Sequence, residues 1–485
     1  MAKSRISRLA RWSLLASGAA LIATPVLADE LRDALVMAYN TNPTLQSARA
    51  QQRATDENVP IARAAGLPSL SGTATYTEFV KTSSNSFTSP SRAFDTQAQL
   101  GVPIYTGGSV KNSIRGAETR VMAGRADLRG IESSVFTQVV AVYMDVILAQ
   151  EVVKLNRENV KRLVVNLQAA KDRFEIGDLT RTDVAQSDSR LATARGQLRS
   201  AEANLIGTRE RYIQVVGKPP LSLQAPPPLV GLPSSGEEAV AIALDHNPDL
   251  LASRERAKAA GFDVRVAGAG KLPRVSVFAG AGYTDYLGTL GGSVPGNFTQ
   301  QSTTAQVGVR ASIPIYQGGL PAAQRRAAQA REDAAMEQEV GVERAVVANV
   351  RTAYAQWQAA SSLIASSQVA VDAATLSLEG VRAENTVGNR TILDILNAEN
   401  ELLTAQVQLA TAQRNAYVAG FNLLSAMGKA EARDLGLDGG VLDDPQANYD
   451  RVQHSKWDWS SDPDPAVDAT RTVDTAPQDG SVVDQ

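Results

Sequence analysis

From Val184 to Tyr212, small and apolar residues step by three and four without a break: Val184, Ser187, Leu191, Ala194, Leu198, Ala201, Leu205, Thr208, Tyr212. This spacing predicts an amphipathic helix whose seam alternates small and large residues. Small seam residues let neighbouring helices approach closely, and leucines fill the gaps. Shifted by 211 positions, Ile395, Ala398, Leu402, Ala405, Leu409, Ala412 and Ala416 repeat the steps. Gln, Asn, Arg and Glu occupy the opposite faces. Upstream of each stripe, Gly108 to Glu175 and Gly319 to Thr386 contain no proline except Pro321, in a first turn where proline is tolerated. Each stretch predicts a helix of roughly 100 Å, far longer than a globular helix.

A second pattern has period two. Phe94, Thr96, Ala98, Leu100, Val102 and Ile104 fall on one face of a strand, and Asp95, Gln97, Gln99 and Gly101 on the other. Ala305, Val307, Val309, Ala311 and Ile313 likewise oppose Gln306, Gly308, Arg310 and Ser312. Residues 69–78 and 274–286 supply partner strands, across the polar loops KTSSNSFTSPSR and GGSVPGNFTQQST. Each strand is long enough to cross a bilayer when tilted. Alternation alone fits two soluble hairpins equally well. The polar second face and the N-terminal leader described below favour a barrel.

The two patterns recur together. NPTLQSARAQQRA from Asn42 is matched by NPDLLASRERAKA from Asn247, PIYTGG at 103–108 by PIYQGG at 314–319, and IGDLTRTDV from Ile176 by VGNRTILDI from Val387. The offset is about 205 before the strands and 211 after them, so the second copy carries six extra residues, expected in a loop. The chain therefore reads as a duplication: a leader at 1–28, one repeat at 29–225, a second at 226–442, and an acidic tail at 443–485. In PIY-x-GG the proline suits a strand end, Tyr105 and Tyr316 suit a membrane interface, and Gly107, Gly108, Gly318 and Gly319 permit the bend into a helix.

Composition narrows the function classes. The chain of 485 residues has a net charge of -3, which gives no electrostatic reason to expect nucleic acid. It has no cysteine, which excludes disulfides, thiolate metal sites and thiol nucleophiles. Lys3, Arg5, Arg8 and Arg11 precede a short apolar run, and Val26-Leu27-Ala28 offers a cleavage site, so export from the cytoplasm is expected. The two histidines, His246 and His454, lack metal-ligand spacing, and no nucleophile elbow or phosphate loop is present. No enzyme, cofactor or metal reading is supported. The proline-rich stretch from Lys218 to Glu238 reads as a crossover between repeats, packing at mid-height with the segment after Gly428. From about Ser460 the tail composition predicts disorder, with Trp457 and Trp459 docking locally.

The leader, the duplicated helix–strand–strand–helix order, the paired PIY-x-GG strings and VGNRTILDILNAENELLTAQ resemble the TolC-like outer membrane efflux protein family over residues 29–430. The resemblance implies a homotrimer whose protomers each give four strands to one shared twelve-stranded barrel in the outer membrane of a Gram-negative bacterium. Their helices would form a periplasmic tunnel, mostly α beneath a membrane β region. The implied function is an exit duct partnered with a periplasmic adaptor and an inner-membrane pump of the resistance-nodulation-division or ABC type. A stand-alone porin and a non-channel coiled coil are the alternatives.

The chemistry implied by the resemblance sits at the hairpin tips. Asp394 matches an aperture acid, and Arg390 and Asp183 match a network that holds the tips closed. A second acidic position falls on Asn397, and a network tyrosine falls on Asn385, while Phe174 keeps an aromatic in the first copy. A less negative ring and a looser latch are the expected consequences. Gly177, Thr180, Gly388 and Thr391 mark the tips where an adaptor would dock. Thr-x-x-Asp is also a helix-start signal, so Asp183 and Asp394 have a capping role to fill in either case.

Overall fold

The structure is a computed structural model that describes residues 31–81, 89–291, 296–437 and 442–482. The leader expected at 1–28 and parts of both strand-connecting loops lie outside the described residues. The first repeat runs α1 (Leu31–Thr41), α2 (Pro43–Asp56), α3 (Asn58–Ala64), β1 (Ser69–Glu78), β2 (Arg92–Tyr105), α4 (Ser109–Glu175) and α5 (Arg181–Val216). The second runs α6 (Gly236–His246), α7 (Pro248–Gly268), β3 (Arg274–Asp285), β4 (Gln301–Ser312), α8 (Leu320–Thr386) and α9 (Ile392–Ala426), and the tail adds α10 (Pro445–Val452). The α4 and α8 helices each have 67 residues, as the proline-free stretches predict.

The repeated Asn-Pro explains how each repeat closes on itself. Asn42 Oδ1 accepts the backbone N–H groups of Thr44 and Leu45, capping α2, and Asn247 Oδ1 does the same for Asp249 and Leu250 in α7. The amide ends then reach across. Asn42 Nδ2 donates to Val215 O at 2.9 Å, and Asn247 Nδ2 donates to Ala426 O at 2.9 Å. One side chain thus caps a helix start and satisfies a carbonyl at the end of the same repeat's return helix. At Gly428, which has φ of +73°, a Cβ would lie 2.4 Å from the His246 carbonyl oxygen, so only glycine fits this junction.

The strands form one antiparallel sheet in the order β1-β2-β3-β4. Pairing carries Leu70, Leu100, Ala279 and Val307 across it as one row, with Gly72, Ala98, Ala281 and Ala305 as the next of the same phase. The intervening row is Ser71, Gln99, Gly280 and Gln306. The sheet therefore has an apolar and a polar face, in the register read from the alternation. Two details differ from that reading. The β2–β3 register shifts between Pro103 and Tyr105, so Ile104 is an inserted residue and Tyr105 pairs with Val275. Pro103 has no N–H to give the ladder, and a bulge at a sheet rim re-aims the following side chain. β4 stops at Ser312, and Ile315 and Tyr316 run on without a strand partner among the described residues, 95% and 88% exposed. The extra residues of the second copy are also not confined to a loop, because β3 is 12 residues against 10 for β1.

The helices pack around α4. Phe136, Val139, Val140, Tyr143, Val146 and Val153 are buried in the main core with Leu205 and Tyr212 of α5 and Leu423 and Leu424 of α9. Within α4 lies a stretch long and apolar enough to cross a membrane by composition, but half of it is buried against neighbouring helices. The crossover joins this core through Leu223, with Leu229 and Leu232 packed against it, and the segment after α9 joins through Ala430, Ala432 and Leu437. By contrast, α8 leaves Met336, Val340, Leu363, Val369 and Leu376 exposed.

The tail makes contacts with the helices at two places. Its α10 docks on α2, where Asn448 Nδ2 donates to Asp56 Oδ2 at 2.8 Å, and Asp443 pairs with Arg49 at 3.2 Å. Further on, buried Arg209 of α5 donates to Asp479 O at 2.7 Å and to Ser481 O at 2.8 Å. Composition favoured disorder because the tail has little apolar surface to bury. Arg209 holds the last segment by two backbone carbonyls and, at 3.3 Å, by the Asp479 carboxylate. Trp457 and Trp459 do not dock and are 71% and 84% exposed. Arg209→Ala should free the last segment, and limited proteolysis read by mass spectrometry should show cleavage within 470–482 accelerating several-fold. An unchanged rate would mean that other contacts hold the strap.

Candidate functional site

The two hairpin tips are built alike. At the end of α4, Gly177 has φ of +83°; its N–H donates to Phe174 O, and Asp178 N donates to Arg173 O. At the end of α8, Gly388 also has φ of +83°, with Gly388 N on Asn385 O and Asn389 N on Glu384 O. Each is a left-handed glycine stop that satisfies two terminal carbonyls. A residue with a Cβ would strain that φ, which is why the same glycine stands at both tips.

The next helix starts three residues later with a reciprocal cap. Thr391 N and Oγ1 donate to Asp394 Oδ2 at 2.9 and 2.8 Å, while Asp394 N donates to Thr391 Oγ1 at 3.3 Å. Thr180 and Asp183 repeat the set at 2.9, 2.7 and 3.3 Å. These are capping boxes with aspartate in the acidic position. Hydrogen bonds from the Thr180 side chain and backbone hold the Asp183 carboxyl below its ordinary range. For Asp394 the Thr391 backbone bond acts first, then the threonine side chain, and more weakly the nearby Arg390 charge. Both threonine bonds fall on the single oxygen Oδ2 of Asp394, on a side chain that is only partly buried.

The remaining residues divide between those that bind within a hairpin and those that bridge two. Arg390 Nε pairs with Glu384 Oε2 at 2.7 Å, inside its own hairpin, so within this chain it is not the tether between hairpins that the resemblance suggested. Asn385 Nδ2 donates to Arg390 O at 2.6 Å, again locally. Phe174 is 44% exposed at its tip. Asn397 does bridge: its Oδ1 accepts Arg190 Nη2 of α5 at 2.9 Å. Arg173 Nη1 reaches Asn385 Oδ1 at 3.5 Å across the same gap. Sequence reading missed Arg190, Arg173 and above all Glu399, which is 1% exposed and bonded to Arg382 and Asn166. The available signal was an acidic residue beside a seam position, directly after Ala398. Among the described residues, no group of three or more His, Asp or Glu side chains is arranged to hold a metal ion.

At the other end of the long helices, Gly107 and Gly108 have φ of +66° and +80°, and Gly318 and Gly319 have +60° and +82°. Two successive left-handed residues turn each sheet arm into its helix. At Gly107 a Cβ would also approach Leu272 Cβ to 2.8 Å.

A paired sheet arm, two helices of equal length and two matched tips in one chain have counterparts among known proteins. The family described as outer membrane efflux protein matches residues 34–218 and 239–429. The chain belongs to that family. It is 34% identical over 450 residues to the outer membrane efflux protein BepC of Brucella suis, covering 92% of this chain and 95% of the relative. It is 28% identical over 426 residues to the outer membrane protein TolC of Escherichia coli K12, covering 84% of each. In fold it is similar to the CmeC outer membrane channel of Campylobacter jejuni, with a TM-score of 0.72 at 18% identity, covering 87% of this chain and 89% of that one. This efflux protein is accordingly an outer-membrane channel component with a large periplasmic helical portion.

Two tests concern the caps. Thr180→Ala should cost about 1 kcal/mol of local helix stability, seen as faster amide hydrogen exchange over the first turn of α5. Because the Asp183 and Asp394 carboxyls lie below their ordinary range when folded, each cap is stable above that range. It is lost only as pH falls through the lowered value. Protection at 180–184 and 391–395 should therefore persist on acidification past the point where free carboxylates protonate. Loss at the ordinary carboxylate pKa would contradict the capping geometry.

Proposed function

We propose that three copies of this chain form one continuous duct. Each would contribute its four strands to a shared barrel in outer-membrane lipid and its long helices to a periplasmic tunnel. The observation that carries this reading is the sheet itself. It ends in two free edges, β1 and β4, and exposes an apolar face on which Leu70 and Val307 are 75% and 79% exposed. In lipid an open edge leaves backbone groups unsatisfied, at several kcal/mol each. With four alternating strands, β4 of one copy meets β1 of the next in antiparallel sense, so copies close a ring without changing the pattern. The exposed apolar residues of α8 provide the matching helical surface between copies. The repeat limits 29–225 and 226–442 are part of this proposal.

The duct would work with an inner-membrane transporter, and the partners we propose are a periplasmic adaptor and a pump of the resistance-nodulation-division or ABC type. The adaptor would dock at the tips around Gly177, Thr180, Gly388 and Thr391. A porin would not need roughly 100 Å of helix below the membrane. At the tips, Asp394 would ring the aperture, since its carboxylate is ionised by its cap and only partly buried. Asn397 would lower the ring's charge and take a bridging role with Arg190.

Light scattering of the detergent-purified protein should give a trimer, and a monodisperse monomer would overturn the architecture. Val307→Arg should impair insertion, at about 2–4 kcal/mol near the midplane, while Gln306→Arg on the polar face should be tolerated. The reverse order would put the faces out of register. In planar bilayers, Asp394→Ala should weaken divalent-cation block and cation selectivity, because three carboxylates leave one constriction together. Unchanged block and selectivity would leave Asp394 as a helix cap alone.

A further inference from the structure

Glu399 is 1% exposed, one of the most deeply buried charged side chains described, and no capping or seam role accounts for it. It lies on α9, five residues beyond the cap aspartate Asp394. Each carboxylate oxygen has its own partner. Oε1 accepts Arg382 Nη2 of α8 at 2.7 Å, and Oε2 accepts Asn166 Nδ2 of α4 at 2.9 Å. The first partner belongs to the same hairpin as Glu399 and the second to the other hairpin.

The apolar packing of α9 divides in the same way. Ile395, Ala398 and Leu402 pack with Ala374 and Leu378 of α8. Leu396 packs instead with Leu163 and Leu167 of α4 and Leu191 and Ala194 of α5. Leu396 and Glu399 are three residues apart and so share a helix face. That face looks into the first hairpin. A carboxylate buried there is tolerated only while it is paired and hydrogen-bonded.

We propose that Glu399 is the clamp residue of this channel, holding the second hairpin onto the first just behind the aperture. The proposal rests on the reading of the tips as a gate. The two contacts of Glu399 differ in what parting of the hairpins would do to them. Arg382 moves with Glu399, so the ion pair survives and keeps the charge compensated. Asn166 stays behind, so its bond is broken at the moving seam. The Arg190–Asn397 bond crosses the same seam between α5 and α9. Near the tips, the polar contacts between hairpins are thus Asn166–Glu399, Arg190–Asn397 and the longer Arg173–Asn385, while Arg390 binds within its own hairpin. Glu399 is a positioning residue that sets the closed state of the tips, and it contacts no cargo in this assignment.

Single-channel recording of the purified full-length protein in planar bilayers tests the clamp. Asn166→Ala removes only the arm from the first hairpin and leaves the ion pair, so the fold should hold. Resting conductance should rise at least about threefold, and further in Asn166→Ala/Arg190→Ala, with the oligomer and its thermal stability unchanged. Asn166→Gln, which restores a donor, should return conductance toward the wild-type value. Glu399→Ala should behave like Asn166→Ala if it folds. Wild-type resting conductance in both Asn166→Ala and the double variant would overturn the clamp. Raised conductance that Asn166→Gln fails to lower would also overturn it, since that indicates loosened packing and not a lost donor. If the wild-type protein itself forms no channel, the gate reading fails, and this outcome is distinct from failure of the clamp.

Discussion

A four-stranded sheet with two free edges and an exposed apolar face cannot be a finished object in a membrane. Backbone N–H and C=O groups along β1 and β4 need partners that lipid does not supply. A soluble protein would cover such edges with a helix, a charge or a proline. Here they are about ten to twelve residues long, and the adjoining apolar rows run straight across all four strands. Assembly of copies is the arrangement that satisfies both edges with the same pairing already present inside the chain. The rest of the molecule hangs from that closure, because each strand pair leads directly through two left-handed glycines into a helix of 67 residues.

The duplication gave the two long helices equal lengths but not equal surroundings. α4 is buried along most of its length, whereas α8 buries few side chains and leaves a series of apolar ones exposed. Two copies of one design thus differ in how much of their surface the chain itself covers. The same division reaches the tips. Both carry identical glycine stops and capping boxes, yet only the second hairpin carries the buried acid, Glu399. In the register of the repeat the first hairpin has Asp188 there, and that position is exposed. Local geometry is thus held in common, and the contacts between hairpins are where the copies have diverged.

Most of the fold was legible because it depends on short periods. The seam residues from Val184 to Tyr212, the alternation from Phe94 to Val102 and the proline-free stretches each report a local backbone state, and local states dominate a chain of long helices. What period could not show was any contact made by a single side chain across elements. The bulge at Ile104 required knowing what opposes Pro103. The contact of the tail with α5 required seeing Arg209 grip two backbone carbonyls and the carboxylate of Asp479, which lies 270 positions away. At the tips, the capping role of Asp183 and Asp394 was readable from Thr-x-x-Asp, since its partners are three residues apart. Glu399 was not, because Asn166 lies 233 positions away.

That difference bears on how the tips can work. A capping box is satisfied within one turn, so parting the hairpins leaves Asp183 and Asp394 still capped and still ionised. In the proposed aperture the chemistry can therefore stay constant while the width changes. The bridging contacts have the opposite property: Asn166–Glu399 and Arg190–Asn397 exist only while the hairpins are together. Asn397 gives Arg190 an acceptor across this seam. Asn385 and Asn397, read from the sequence as loosening the latch, each accept a bond from an arginine of the first hairpin. A further contact, Asn166–Glu399, lies behind the exposed tip at a buried acid, where exclusion of water makes each hydrogen bond harder to exchange.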